Sequence, residues 1–221
     1  MGDKPAGLPR GLYALLDDSF RPGLDLIQAA RDVIDGGAGV LQLRLKTHSD
    51  RAALAVCRAV VEVARASGTR VLVNDRVDLA LLSGADGVHL GEHDLPIAQA
   101  RSLLGPRALI GATTRSLAQI QQAAADGADH VGLGPIFATT TKSVPHAQLG
   151  VAGLAQIAKH SPLPIVAIAG LRLDNLNAVA RAGAHCAAVA SALLEAPDLR
   201  ERARALQAEF FSLRSEVPSA P

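Results

Sequence analysis

"SGADGVHLG" at residues 83–91 recurs in altered form as "DGGAGVLQLR" (35–44), "DGADHVGLG" (126–134) and "RAGAHCAAVAS" (181–191). Each copy carries a Gly-Ala step followed by a short apolar run. A glycine closing a helical stretch reads as a C-cap, and the run after it reads as a buried strand. Between these landmarks lie four more strand candidates: "GLYALL" (11–16), "RVLVN" (70–74), "ALIGA" (108–112) and "PIVAIAG" (164–170). The stretches "RAALAVCRAVVEVARASG" (51–68) and "SLAQIQQAAADG" (116–127) place apolar residues at i, i+3, i+4 and i+7, the helical period. Strands alternating with helices imply βαβ units and a parallel sheet. Eight such units of roughly 27 residues predict an α/β chain folded as a single (β/α)8 TIM barrel. An open doubly wound sheet is the alternative. The expected division is an N-terminal extension at 1–10, a barrel catalytic domain at 11–213 and a disordered tail at 214–221.

Composition supports that architecture. Hydrophobic residues make up 49% of the 221-residue chain but aromatics only 2%, so Ala, Val, Leu and Ile must build the core. Short aliphatic runs suit a parallel sheet buried on both faces. The net charge of +1 offers no global field for nucleic acid or a membrane surface. Cys57 and Cys186 stand far apart without metal-ligand spacing and read as reduced, buried core residues. No stretch approaches the ~18 apolar residues of a membrane span, and the N-terminus lacks an apolar signal core. A soluble cytoplasmic protein is expected.

In a barrel of this kind the active site lies at the C-terminal ends of the strands, and those ends are polar here. In "QLRLK", Gln42, Arg44 and Lys46 alternate and share one face, while Leu43 and Leu45 face the helices. Inside a barrel such groups are costly unless they meet an anion, and Arg and Lys suit phosphate oxygens. Taken alone, the motif fits a strand-end ion pair equally well. Asn74 and Asp75 end the next strand and Asp94 follows the one after. Neighbouring strands lie ~4.8 Å apart, so Asp75 and Asp94 could share a hard cation. Two carboxylates with waters and substrate phosphates are a Mg2+ set. Asp78 reads as an exposed first-turn carboxylate, and Glu92 and His93 as loop surface. His48, His146 and His160 fall in loops or helix ends, and His89, His130 and His185 in or beside strands. None has a nucleophile or metal-ligand spacing, so all read as structural or solvated. Gly170 and Ser191, at the ends of the last two strands, fit a phosphate cradle.

Together these motifs resemble the thiamine phosphate synthase family over residues 11 to about 195. The similarity runs through "QLRLK", "ND", "GVHLGEHD", "GPIFATTTK" and the glycine and serine endings of the last strands. The resemblance implies a Mg2+-dependent barrel enzyme joining a pyrimidine diphosphate to a thiazole phosphate. It implies that Gln42, Arg44, Lys46 and Asn74 hold the pyrimidine diphosphate, Asp75 and Asp94 the metal, and Thr113 the pyrimidine. It places Thr139 and Thr141 on the thiazole phosphate with Gly170, Ala190 and Ser191, and Lys142 on the diphosphate. Arg44, Lys46 and Lys142 would then be the catalytic cations, and Ser143–Leu149 a mobile lid. Arg115, Ala138, Ala169 and Ala190 depart from the family pattern. A related thiazole tautomerase and a non-catalytic ligand-binding homologue are the alternatives.

Overall fold

The computed structural model describes residues 7–139 and 147–212. Eight strands run through it: Gly11–Asp17 (β1), Val40–Arg44 (β2), Arg70–Asn74 (β3), Gly87–Leu90 (β4), Leu109–Thr114 (β5), His130–Leu133 (β6), Ile165–Ala167 (β7) and Cys186–Val189 (β8). Each pairs in parallel with the next, and β8 pairs with β1. The sheet is therefore a closed barrel, and the open-sheet alternative falls. The helices that return the chain are Leu26–Asp35 (α1), Asp50–Ala64 (α2), Val77–Ser83 (α3), Ile97–Leu104 (α4), Leu117–Ala125 (α5), Gly150–Ala158 (α6), Leu176–Arg181 (α7) and Ser191–Leu194 (α8), followed by Leu199–Phe210 (α9). Outward residues such as Leu41, Leu43, Val73 and Ile110 pack beneath these helices in the main core.

The repeat has a structural reason beyond its glycines. Asp86 and Asp129 hold the same place in two copies. Asp86 accepts from the Val71 amide at 2.8 Å, and Asp129 from the Ile110 amide at 2.7 Å. Each carboxylate ties the start of its own strand to the strand before it, and each pairs with an arginine, Arg70 or Arg101. In the last copy that place is taken by His185, whose ring lies 2.6 Å from the Leu8 carbonyl. Leu8, only 7% exposed, joins Tyr13, Val40, Leu72, Leu109, Val166 and Cys186 in a separate interior cluster. The end of the expected N-terminal extension thus belongs to the barrel's packed interior. Cys57 and Cys186 are both free and buried. The tail expected at 214–221 lies outside the described residues.

Interior space is set by glycine. A Cβ on Gly111 would collide with the rings of both His130 and His89, so β5 must be bare there. This lets two imidazoles sit inside the barrel with centroids 5.8 Å apart.

Candidate functional site

A cavity of about 220 Å³ opens at the C-terminal ends of the strands. Its apolar wall comes from Leu15, Val166, Ile168, Ala188 and Ala190, and its polar wall from Asp17, Gln42, Arg44, Asn74, His89 and Thr113. Thr139, Gly170 and Ser191 complete the rim. A larger groove of about 460 Å³ lies between α1 and the start of α9, but none of the expected site residues lines it.

Strand parity explains the polar wall. β1 and β2 pair with Asp17 opposite Arg44, so both point inward at the same height. Arg44 donates to Asp17 at 2.8 Å and to the Ser19 hydroxyl at 3.1 Å. Asp17 is 3% exposed, and this pair satisfies a carboxylate that would otherwise be costly to bury. Gln42 donates to the Tyr13 hydroxyl at 2.5 Å, which fixes its amide. Burial pushes the Tyr13 phenol well above its usual range, so Tyr13 stays neutral. Thr113 and His89, on adjacent strands, meet at 3.0 Å.

Beyond the strand ends the charges converge. Lys46 reaches Asp75 at 2.5 Å. Asp75 has φ of 64°, an uncommon conformation outside glycine, and its amide donates to the His89 carbonyl at 2.8 Å. Asp94 is its neighbouring carboxyl, close enough for each to perturb the other's ionisation. Burial opposes ionisation of Asp75, but Asp94 and Lys46 outweigh it and hold the carboxyl below the usual range. For Asp94, burial and then the neighbouring Asp75 hold the carboxyl above it. The Gly91 amide anchors Asp94 at 2.6 Å.

On the opposite rim, Ile136 and Phe137 donate to the carbonyls of Ile168 and Ala169, which brings the segment leading to Thr139 against Gly170. Gly170 has φ of 68°, and a Cβ there would collide with the Ala138 carbonyl and come within 2.7 Å of the Phe137 Cβ. Ala169 occupies the same left-handed region at φ of 75°. Arg115 pairs with Glu92 at 2.6 Å. Asp78 is exposed and pairs with Arg76, as expected of a first-turn carboxylate.

The structure thus brings Gln42, Arg44, Asn74, Thr113, Thr139, Gly170, Ala190 and Ser191 to one cavity, with Lys46, Asp75 and Asp94 joined in one cluster. Thr141, Lys142 and most of the expected lid lie outside the described residues. The lid's last residue, Leu149, donates to the Pro135 carbonyl at 2.9 Å. Sequence reading missed Asp17 and treated His89 as structural or solvated, although both line the cavity. The parity that singled out Gln42 and Arg44 was the available signal for each.

Comparison with known proteins agrees with this fold. The family model described as thiamine monophosphate synthase matches residues 12–193. The chain is 51% identical to the thiamine-phosphate synthase of Myxococcus xanthus over 92% of this chain and 93% of the relative. It is 48% identical to that of Anaeromyxobacter dehalogenans over 96% and 92%. A thiamine phosphate pyrophosphorylase structure from Pyrococcus furiosus superposes with a TM-score of 0.81 at 32% identity, covering 90% of this chain and 95% of that one. The chain belongs to the thiamine monophosphate synthase family.

Proposed function

We propose that the enzyme condenses 4-amino-2-methyl-5-hydroxymethylpyrimidine diphosphate with 4-methyl-5-(2-phosphoethyl)thiazole to give thiamine phosphate and diphosphate, in the cytoplasm. The observation that carries the reading is a cavity lined by Arg44 and Asn74, with Lys46, Asp75 and Asp94 clustered just beyond the ends of the same and the next strands. Two apposed carboxylates, one pressing the other's pKa upward, fit a divalent cation. Among the described residues no group of three or more His, Cys, Asp or Glu is placed to hold a metal, so water and substrate oxygens must fill the shell. That donor set suits Mg2+. When bound at Asp75 and Asp94, Mg2+ would neutralise charge on the diphosphate.

Arg44, Lys46 and Lys142 would stabilise the departing diphosphate. Gln42, Asn74 and Thr113 would hold the pyrimidine, whose electron-rich ring stabilises the pyrimidinylmethyl cation left behind. The thiazole nitrogen attacks with a lone pair already available, so no protein base is needed. The phosphate of that substrate would rest on Thr139, Thr141, Gly170 and Ser191, with Ala190 in the wall. A tautomerase has no use for the Asp75–Asp94 pair. Among the described residues no helix is long and apolar enough to cross a membrane.

The test mixes protein, Mg2+ and the two phosphorylated heterocycles and measures thiamine phosphate and released diphosphate. Both should appear in equal amounts and depend on the metal. Product formed equally well in excess chelator would overturn the metal assignment. Gly170→Ala forces a methyl into the Ala138 carbonyl from a left-handed backbone. A loss of about 1–3 kcal/mol of stability is expected, with a raised KM for the thiazole phosphate. Thermal melting and steady-state kinetics check both.

A further inference from the structure

Lys46 lies two residues beyond the end of β2, where the ladder no longer fixes the chain. Its ammonium meets Asp75, and its main-chain amide goes to Asp18 at 2.8 Å. Asp18 also accepts from the Thr47 amide and hydroxyl, both at 2.8 Å, and lies 2.7 Å from His48 Nδ1. All four contacts come from three consecutive residues. Asp18 is 6% exposed, and its own amide donates to the Arg44 carbonyl, extending the β1–β2 pairing by one residue. Burial opposes its ionisation, but the bonds from His48, Lys46 and Thr47 outweigh it and hold the carboxyl well below the usual range. A buried carboxylate so occupied is fixed in place, and it fixes in turn the backbone that grips it.

We propose that Asp18 is a positioning residue that clamps the 46–48 turn so that Lys46 presents its ammonium to the diphosphate beside Asp75. The proposal rests on the reading of Lys46 as a diphosphate cation. It divides the work of two consecutive carboxylates: Asp17 orients the Arg44 side chain, and Asp18 orients the main chain that carries Lys46. An amide at position 18 loses the charge and turns a donor toward donors.

Wild type, Asp18→Asn and His48→Ala are compared by coupling kinetics with each substrate varied in turn, by amide hydrogen exchange and by thermal melting. Asp18→Asn should raise KM for the pyrimidine diphosphate on the order of tenfold. KM for the thiazole phosphate should stay at the wild-type value, and exchange at the Lys46 and Thr47 amides should accelerate. His48→Ala, which removes one contact of four, should fall between. If Asp18→Asn fails to fold, His48→Ala and Thr47→Val carry the test through smaller rises in the same KM. A wild type that couples the substrates, with an Asp18→Asn variant of unchanged pyrimidine-diphosphate KM, overturns the proposal and leaves the reading of the site standing. Equal rises in both KM values overturn it as well, since they mark general loosening. A wild type that makes no thiamine phosphate overturns the reading and the proposal together.

Discussion

Asp94→Asn is expected to lower turnover by about 10²–10³ while moving the melting temperature by no more than a few degrees. The two readouts separate because the carboxylate does two different things. Its tie to the Gly91 amide needs only one acceptor oxygen, which Asn retains. Its charge is different. Burial and Asp75 already hold the Asp94 carboxyl above its usual range, so the folded protein alone gains little from that charge. On the proposed reading, that charge is used when a cation and a diphosphate arrive. Weakening the hold on a cation that stabilises a departing anion costs a few kcal/mol of barrier, the loss predicted here. The half-saturating Mg2+ concentration should rise in the same variant. Wild-type turnover at ordinary Mg2+ would show that the pair holds no catalytic metal. A collapse of the melting transition would show that Asp94 is structural.

The sequence disclosed what repeats and what alternates. Strands buried on both faces must be continuous aliphatic runs, so the Gly-Ala copies and the runs between them yielded eight βα units. Alternation along a strand carried Gln42 and Arg44 to one wall without knowledge of the neighbours. What stayed hidden depends on register and on turns. Asp17 drew no reading, because its partner Arg44 stands 27 residues away and is found only by pairing β1 with β2. His89 looked structural because Thr113 is supplied by the next strand. The left-handed turn at Asp75, which brings its carboxyl to Asp94 and Lys46, has only a weak marker, since Asp enters that region more readily than most residues but seldom does so. Leu8 read as part of an extension because only the closed barrel offers it an interior to fill.

His130→Leu should change the acid stability of the protein more than any surface substitution. His130 lies inside the barrel at 0% exposure, and neither ring nitrogen has a hydrogen-bond partner. Burial, followed by the nearby His89 and His185, pushes its pKa down to about 3 from 6.5. Below pH 6.5 the unfolded chain therefore takes up a proton that the folded chain refuses, and stability falls as pH drops from 6.5 toward 3. Between pH 7 and pH 4 this single group should cost wild type about 3 kcal/mol that His130→Leu keeps. At neutral pH the variant should equal or exceed wild type, because two buried nitrogens without partners are replaced by apolar atoms of similar volume. Denaturant unfolding of both proteins at pH 7, 5.5 and 4 measures the gap. Asp18, Asp75 and Asp78 are held below the usual carboxylate range and lose their contributions mostly at lower pH. They are present in both proteins, so they cancel in the difference. Parallel stability curves would mean that water or a rearranged ring satisfies His130. A widening gap would show that the barrel holds this imidazole neutral at a standing cost, in the space that the bare backbone of Gly111 provides.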